Sequence, residues 1–129
     1  MQEKRRFTRV ELKSRVQVRA ESTTYEGTMH DLSLSGVLVV APGKPELGTK
    51  VNIELMLAGP KTELAIELRG KVIRHTDTGF GLTYDLESFE LDSFLHLRNV
   101  IAYIQDDPQQ IAEEFKQLLA DQADQAFDL

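Results

Sequence analysis

The chain has 129 residues and contains neither cysteine nor tryptophan. Without thiols it has no disulfide framework and no thiolate metal site. No apolar run approaches the roughly 18 residues that a membrane-spanning helix needs, so membrane insertion is not expected. The first residues are basic, but no apolar segment follows them; this argues against a signal peptide and for a cytoplasmic protein. Aromatic residues make up only 7%, too few for the exposed stacking platform of a single-strand RNA or DNA binder. Positive charge is also in deficit: 15 Lys and Arg against 21 Asp and Glu give a net charge of -6, which speaks against a general nucleic-acid binder. What remains is a globular chain, 41% hydrophobic and 28% charged, long enough for one domain with a real core.

The charge is unevenly spread. Residues 1–20 carry seven cations (Lys4, Arg5, Arg6, Arg9, Lys13, Arg15, Arg19) against Glu3 and Glu11. Residues 105–129 carry seven anions against Lys116. A basic end and an acidic end follow. Within the basic end, Lys4-Arg5-Arg6-Phe7-Thr8-Arg9 is dense enough to act as an anion clamp, because arginine presents a planar fork that pairs with phosphate in two places.

Residues 1–10 read as a flexible arm with nothing to tie them down. Residues 12–19 alternate, with Leu12, Ser14, Val16 and Val18 on one face and Lys13, Arg15, Gln17 and Arg19 on the other, the pattern of a half-buried strand. Residues 21–24 read as a turn and 25–30 as a second strand. Residues 31–36 bring turn chemistry, and Val37 to Val40 form a buried strand. A loop at 42–45 leads to an alternating strand over 50–57, and Gly59-Pro60 is a tight turn. Residues 64–75 form a long strand in which Gly70 marks a bulge or bend. Asp77-Thr78-Gly79 turns into a last strand over 80–84. Six short strands joined by tight turns make a mainly β fold, a six-stranded antiparallel barrel, with C-terminal α-helices.

From about residue 87 the period becomes helical. A helix over 91–105, starting near Ser88 or Glu90, lays Leu91, Phe94, Leu95, Leu97, Ile101 and Ile104 along a stripe that covers one mouth of the barrel. Asp107-Pro108 is an N-cap followed by proline at the first helical position. A second helix runs over 108–123, with Ile111, Phe115, Leu118 and Leu119 on its apolar side and a frayed end from Gln125. The divisions are an arm over 1–10, a barrel with its packing helix over 11–105, and an acidic helix over 106–129.

Two motifs stand out together. Arg5 to Arg9 fits R-x-x-x-R, and Asp31-Leu32-Ser33-Leu34-Ser35-Gly36 fits D/N-x-S-x-x-G, 22 residues on from Arg9 to Asp31. Ahead of an antiparallel barrel, this pair resembles a PilZ domain, the receptor module for cyclic diguanylate, over about residues 3–105. Residues 91–98 are also similar to the helix of short stand-alone members. The resemblance implies that Arg5, Arg9, Asp31, Ser33 and Gly36 bind the ligand. The chemistry agrees. Each arginine addresses a phosphate or the O6/N7 edge of a guanine. Asp31 accepts from guanine N–H groups, and Ser33 donates. Gly36 lets backbone lie against a flat base. Weaker candidates are Arg74, where relatives often stack a side chain on a guanine, and Lys4 and Arg6 beside the first arginine. The residue before that arginine influences, in the family, whether one ligand or a stacked pair binds.

Other chemistries fit less well. His30, Asp31 and Ser33 are too close along one strand end to form a nucleophile–base–orienter line, and no nucleophile elbow surrounds them. His30, His75 and His96 lack metal spacing. Gly79-Phe80-Gly81 leads into a strand, not the helix that a phosphate loop requires. The expectation is a non-enzymatic receptor without a cofactor, a monomer or weak dimer, that relays cyclic diguanylate to a downstream effector protein. The rivals are a nucleotide-independent PilZ-like adaptor and, less favoured, a small-barrel RNA or single-strand DNA binder.

Overall fold

The computed structural model describes residues 7–58, 63–85 and 91–127. Six strands come first: β1 (Val10–Ala20), β2 (Thr23–Leu32), β3 (Gly36–Val40), β4 (Lys50–Ala58), β5 (Glu63–His75) and β6 (Gly79–Tyr84). Two helices follow, α1 (Leu91–Gln105) and α2 (Pro108–Phe127). The strands close into a barrel in the order β1-β2-β3-β6-β5-β4, with β4 returning to β1 and all pairs antiparallel. Closure leaves no open edge to be capped.

Alternation in the sequence decides which side of each strand faces in. Val16, Val18 and Ala20 of β1 are buried, while Arg15 and Arg19 between and beside them are exposed. Inside the barrel they join buried Val51, Ile53 and Leu55 of the adjacent β4 and Ile66 and Leu68 of β5. These side chains join those of α1 and α2 in one continuous core. Strands β1 and β2 are longer than the alternation predicts, because only Glu21 and Ser22 separate the paired residues Ala20 and Thr23. Glu21 takes a φ of 56° to make that tight link.

The irregularity expected at Gly70 lies elsewhere. Gly70 is paired on both sides, with Val51 of β4 and Tyr84 of β6. It is the place where β5 passes from one partner strand to the other. The register slips three residues later, between Val72 and Arg74. The expected turn at Gly59-Pro60 lies outside the described residues.

Helix α1 has the expected bounds; its start near Ser88 or Glu90 lies outside the described residues. It rests on β5 and β1 and buries Phe94, Leu97 and Ile101. Leu91 and Ile104, expected on its apolar stripe, are instead exposed. The Phe94 ring meets Tyr84 edge-on at 5.8 Å and 85°. The Asp107 carboxylate accepts from the Gln110 N–H at 3.1 Å, an N-cap bond that satisfies one of the unpaired donors at the start of α2. The helix then continues past the expected stop to Phe127. Ile111, Phe115 and Leu118 are buried, whereas Leu119, expected on the same apolar side, is exposed. The Arg98 guanidinium lies 5.3 Å from the Phe115 ring centroid and fastens α1 to α2. No described helix is long and apolar enough to cross a membrane.

The Tyr84 hydroxyl is buried without a hydrogen-bond partner among the described residues. Burial pushes its phenol far above the ordinary value. A raised folded-state pKa means that, above about pH 10, the unfolded chain releases a proton that the folded chain keeps. Stability is therefore fully present below that pH and falls above it. Urea unfolding of Tyr84→Phe should show no loss of stability at neutral pH and a smaller alkaline decline than the unsubstituted protein. An equal decline in both would remove Tyr84 as the cause.

Candidate ligand-binding cleft

The site begins with a register. Val10 of β1 faces Leu32 of β2. Arg9, one residue before Val10, is thereby brought to the turn that follows Leu32, so the last residue of the first motif meets the second motif at one end of the barrel. Both strands are irregular here. Against β3, Met29 pairs with Val39 and Leu32 with Val37, so β2 carries one residue too many between them. Met29 and Leu32 are both fully buried, which their odd separation forbids in a regular strand. The bulge leaves His30 and Asp31 together between them, half-buried.

A second bulge faces the first from β5. Val72 pairs with Leu82 and Arg74 with Gly81, so Ile73 is the extra residue. Val72 is buried, while Ile73 and Arg74 are both exposed, Ile73 at 54%. The Arg74 side chain runs across Gly81. A Cβ at Gly81 would lie 3.1 Å from both Cγ and Nε of Arg74. The missing side chain is thus the seat on which the arginine lies.

Between the bulges sits a cleft of about 320 Å³ lined by Arg9, Asp31, Ser33, Gly36 and Arg74. Five residues named from sequence therefore come together. Lys4, Arg5 and Arg6 lie outside the described residues. Ser35, Leu38, Ile73, Gly81 and Thr83 also line the cleft and were not singled out from sequence. The trace of Ile73 in the sequence is the adjacent apolar pair Val72-Ile73, a lapse in the alternation that does not by itself reveal a bulge.

Ser33 and Gly36 have structural duties of their own. The buried Ser33 hydroxyl accepts from the N–H groups of Ser35 (3.1 Å) and Gly36 (3.2 Å), while the Ser33 N–H donates to the Gly36 carbonyl at 3.0 Å. This serine turn is the local alternative to continuing the strand. The Ser35 carbonyl accepts from the Tyr84 N–H at 3.0 Å and the Thr83 hydroxyl at 3.3 Å, so β6 holds the turn in place. Gly36 pairs with Thr83, and a Cβ there would meet the Leu82 carbonyl oxygen at 2.1 Å.

The end of the arm is not loose. Phe7 is buried in the core cluster. The Thr8 N–H donates to Glu114 Oε1 of α2 at 2.7 Å, and the Thr8 hydroxyl donates to Glu114 Oε2. The expectation that nothing ties residues 1–10 down fails from Phe7 onward. An aromatic among cations still partitions into the core, and a buried carboxylate supplies the acceptor.

The architecture is that of a small antiparallel barrel with a polar, cation-bearing cleft at one end. The sequence matches the PilZ domain over residues 3–103, and the chain belongs to that family, whose members are cyclic diguanylate receptors and adaptors. No curated protein sequence matches the chain significantly. Among solved structures it is similar to the Bacillus subtilis inhibitor of motility (MotI/DgrA), with a TM-score of 0.68 and 16% identity over 83% of this chain. The chain spans 54% of that protein's length. It is also similar to the PilZ domain of CeSA from a cellulose-synthesizing bacterium, with a TM-score of 0.57 and 21% identity, covering 77% of this chain and 96% of that domain. Both likenesses are of fold.

Gly36→Ala separates structure from ligand chemistry at this position. The added methyl meets backbone, which cannot swing aside, so the substitution should destabilise the protein by about 2 kcal/mol or more with no ligand present. Thermal or urea unfolding of the ligand-free protein checks this; unchanged stability would return Gly36 to a purely ligand-facing role.

Proposed function

We propose that this chain is a receptor for cyclic diguanylate, bound in the cleft between the two bulges, and that occupancy changes the surface offered to a partner protein. The observation that carries the reading is the convergence of Arg9, Asp31, the Ser33–Gly36 turn and Arg74 on one cleft. The ligand brings two phosphodiester charges and two guanines. Arg9 pairs with a phosphate or a guanine edge, each good bidentate guanine contact being worth about 1–3 kcal/mol of discrimination. The Asp31 carboxylate accepts from the N1 and N2 hydrogens of a guanine. Arg74, laid flat on Gly81 beside exposed Ile73, offers a planar cation and an apolar surface on which a base stacks. Ser33 acts mainly by holding its turn, and exposed Ser35 on the rim supplies a hydroxyl.

Arg5 completes the clamp when the residues before Phe7 close over the ligand. That closing step is shorter than an arm free from residue 1 to 9 would need, since Phe7 and Thr8 are already docked. Lys4 and Arg6 flank Arg5 and add charge to the same closure.

Arg9→Ala and Arg5→Ala should each lose at least about 2 kcal/mol of binding through broken charge-assisted bonds, with an unchanged unfolding midpoint. Calorimetry with cyclic diguanylate, a linear dinucleotide and single-stranded RNA measures this. Binding of RNA alone points to the nucleic-acid reading, and no heat with any of the three points to the nucleotide-independent adaptor.

Arg74 has its own test. Arg74→Ala should weaken binding by about 1 kcal/mol. Gly81→Ala keeps the arginine but pushes it from its seat, and should weaken binding comparably. Unaltered affinity in both would take Arg74 out of the site.

A further inference from the structure

Helix α2 lies wholly beyond residues 3–103, the span that the family match covers. It nevertheless reaches the arm. Glu114 is buried at 7% exposure, whereas its neighbour Glu113 is exposed. A buried carboxylate is tolerated when its oxygens are hydrogen-bonded. Glu114 accepts from the Thr8 N–H, from the Thr8 hydroxyl and from the Gln110 side-chain amide at 3.1 Å. Thr8 and Glu114 are 106 positions apart in sequence, so the link ties the two ends of the described chain together. Thr8 is followed at once by Arg9, which lines the cleft, and preceded by buried Phe7. Fixing Thr8 on both its backbone and its side chain fixes where the chain enters the cleft.

We propose that Glu114 is a positioning residue of the ligand cleft: by gripping Thr8 it sets Arg9, and it makes α2 part of the binding event. The inference rests on the cyclic diguanylate reading above. It goes further in giving the C-terminal helix a role that neither motif supplies. Linkage makes the coupling reciprocal: if α2 improves binding through Thr8, ligand tightens the docking of α2 by the same factor. Helix α2 then carries the occupancy of the cleft to the far end of the chain.

The test uses the full chain with Thr8→Val, Glu114→Gln and the pair combined. Thr8→Val removes only the hydroxyl and keeps the shape, so it remains informative if Glu114→Gln folds poorly. Cyclic diguanylate affinity should fall about tenfold in each single variant, and the double variant should be no weaker than the worse single. Thr8→Ser should restore affinity. Hydrogen exchange across residues 108–120 should slow on ligand binding in the unsubstituted protein and not in Glu114→Gln. A merely structural role would lower the unfolding midpoint and leave the affinity of the folded protein alone. Wild-type affinity in the single variants, or losses that add in the double, would overturn the inference. If the unsubstituted protein gives no heat with cyclic diguanylate, the functional reading fails. The latch is then judged in ligand-free protein: faster exchange at Thr8 and Arg9 in Glu114→Gln upholds it, and unchanged exchange sinks it.

Discussion

The pairing of Val10 with Leu32 is the contact on which the site depends. It sets where the first strand begins relative to the end of the second, and so where Arg9 stands relative to Asp31. The barrel enforces it from both sides. Strand β1 is also registered against β4, with Val18 facing Ile53, and β4 against β5, with Ile53 facing Leu68. A slip of one residue would turn Val16 and Val18 outward and Gln17 and Arg19 into the core. A closed ring has no edge strand to absorb such a slip. The position of a surface arginine is thus determined by buried valines several residues away.

Where the interior was written in alternation, it was legible. Strand β1, β4 and both helices could be placed from periodicity, and the N-cap at Asp107 from two letters. The two bulges could not. A bulge is one unpaired residue, and it looks in sequence like a lapse in the pattern: His30-Asp31 between two buried residues, Ile73-Arg74 after buried Val72. Glycine drew attention to the wrong place, because Gly70 accommodates a change of partner strand while the extra residue is Ile73. The burial of Phe7 and the docking of Thr8 on α2 were hidden for another reason. A contact between residues 106 apart leaves no periodic trace, and a run of cations around one phenylalanine reads as solvated chain. Arg9, Asp31, Ser33 and Gly36 could be picked out in sequence as neighbours, yet their division of labour could not. Ser33 and Gly36 hold the turn and admit β6, which their place in a ligand motif does not reveal.

The net charge of -6 sharpens the electrostatics of the cleft. Over distances beyond about 8 Å, salt screens the attraction of a few arginines, and the surplus of carboxylates gives an approaching polyanion no general welcome. Discrimination is left to short-range pairing, where a planar guanidinium fixes both distance and angle. That suits a compact dianion with edges to read, and disfavours a long nucleic acid that binds through many loose phosphate contacts.

The docked end of the arm also changes how binding and folding divide the entropy. Ordering a backbone residue costs about 1–2 kcal/mol. Had all of residues 1–9 been ordered only by ligand, that cost would have come out of the affinity. Burial of Phe7 and the bonds from Thr8 to Glu114 place part of it in the folding reaction instead, where the core of the barrel and the two helices offsets it. On the proposed reading, Arg9 meets the ligand already aimed. On the same reading, affinity depends on the stability of α2, a helix that lies outside the span of the family match. Two chains with identical motifs but different final helices would therefore differ in how tightly they hold the same ligand.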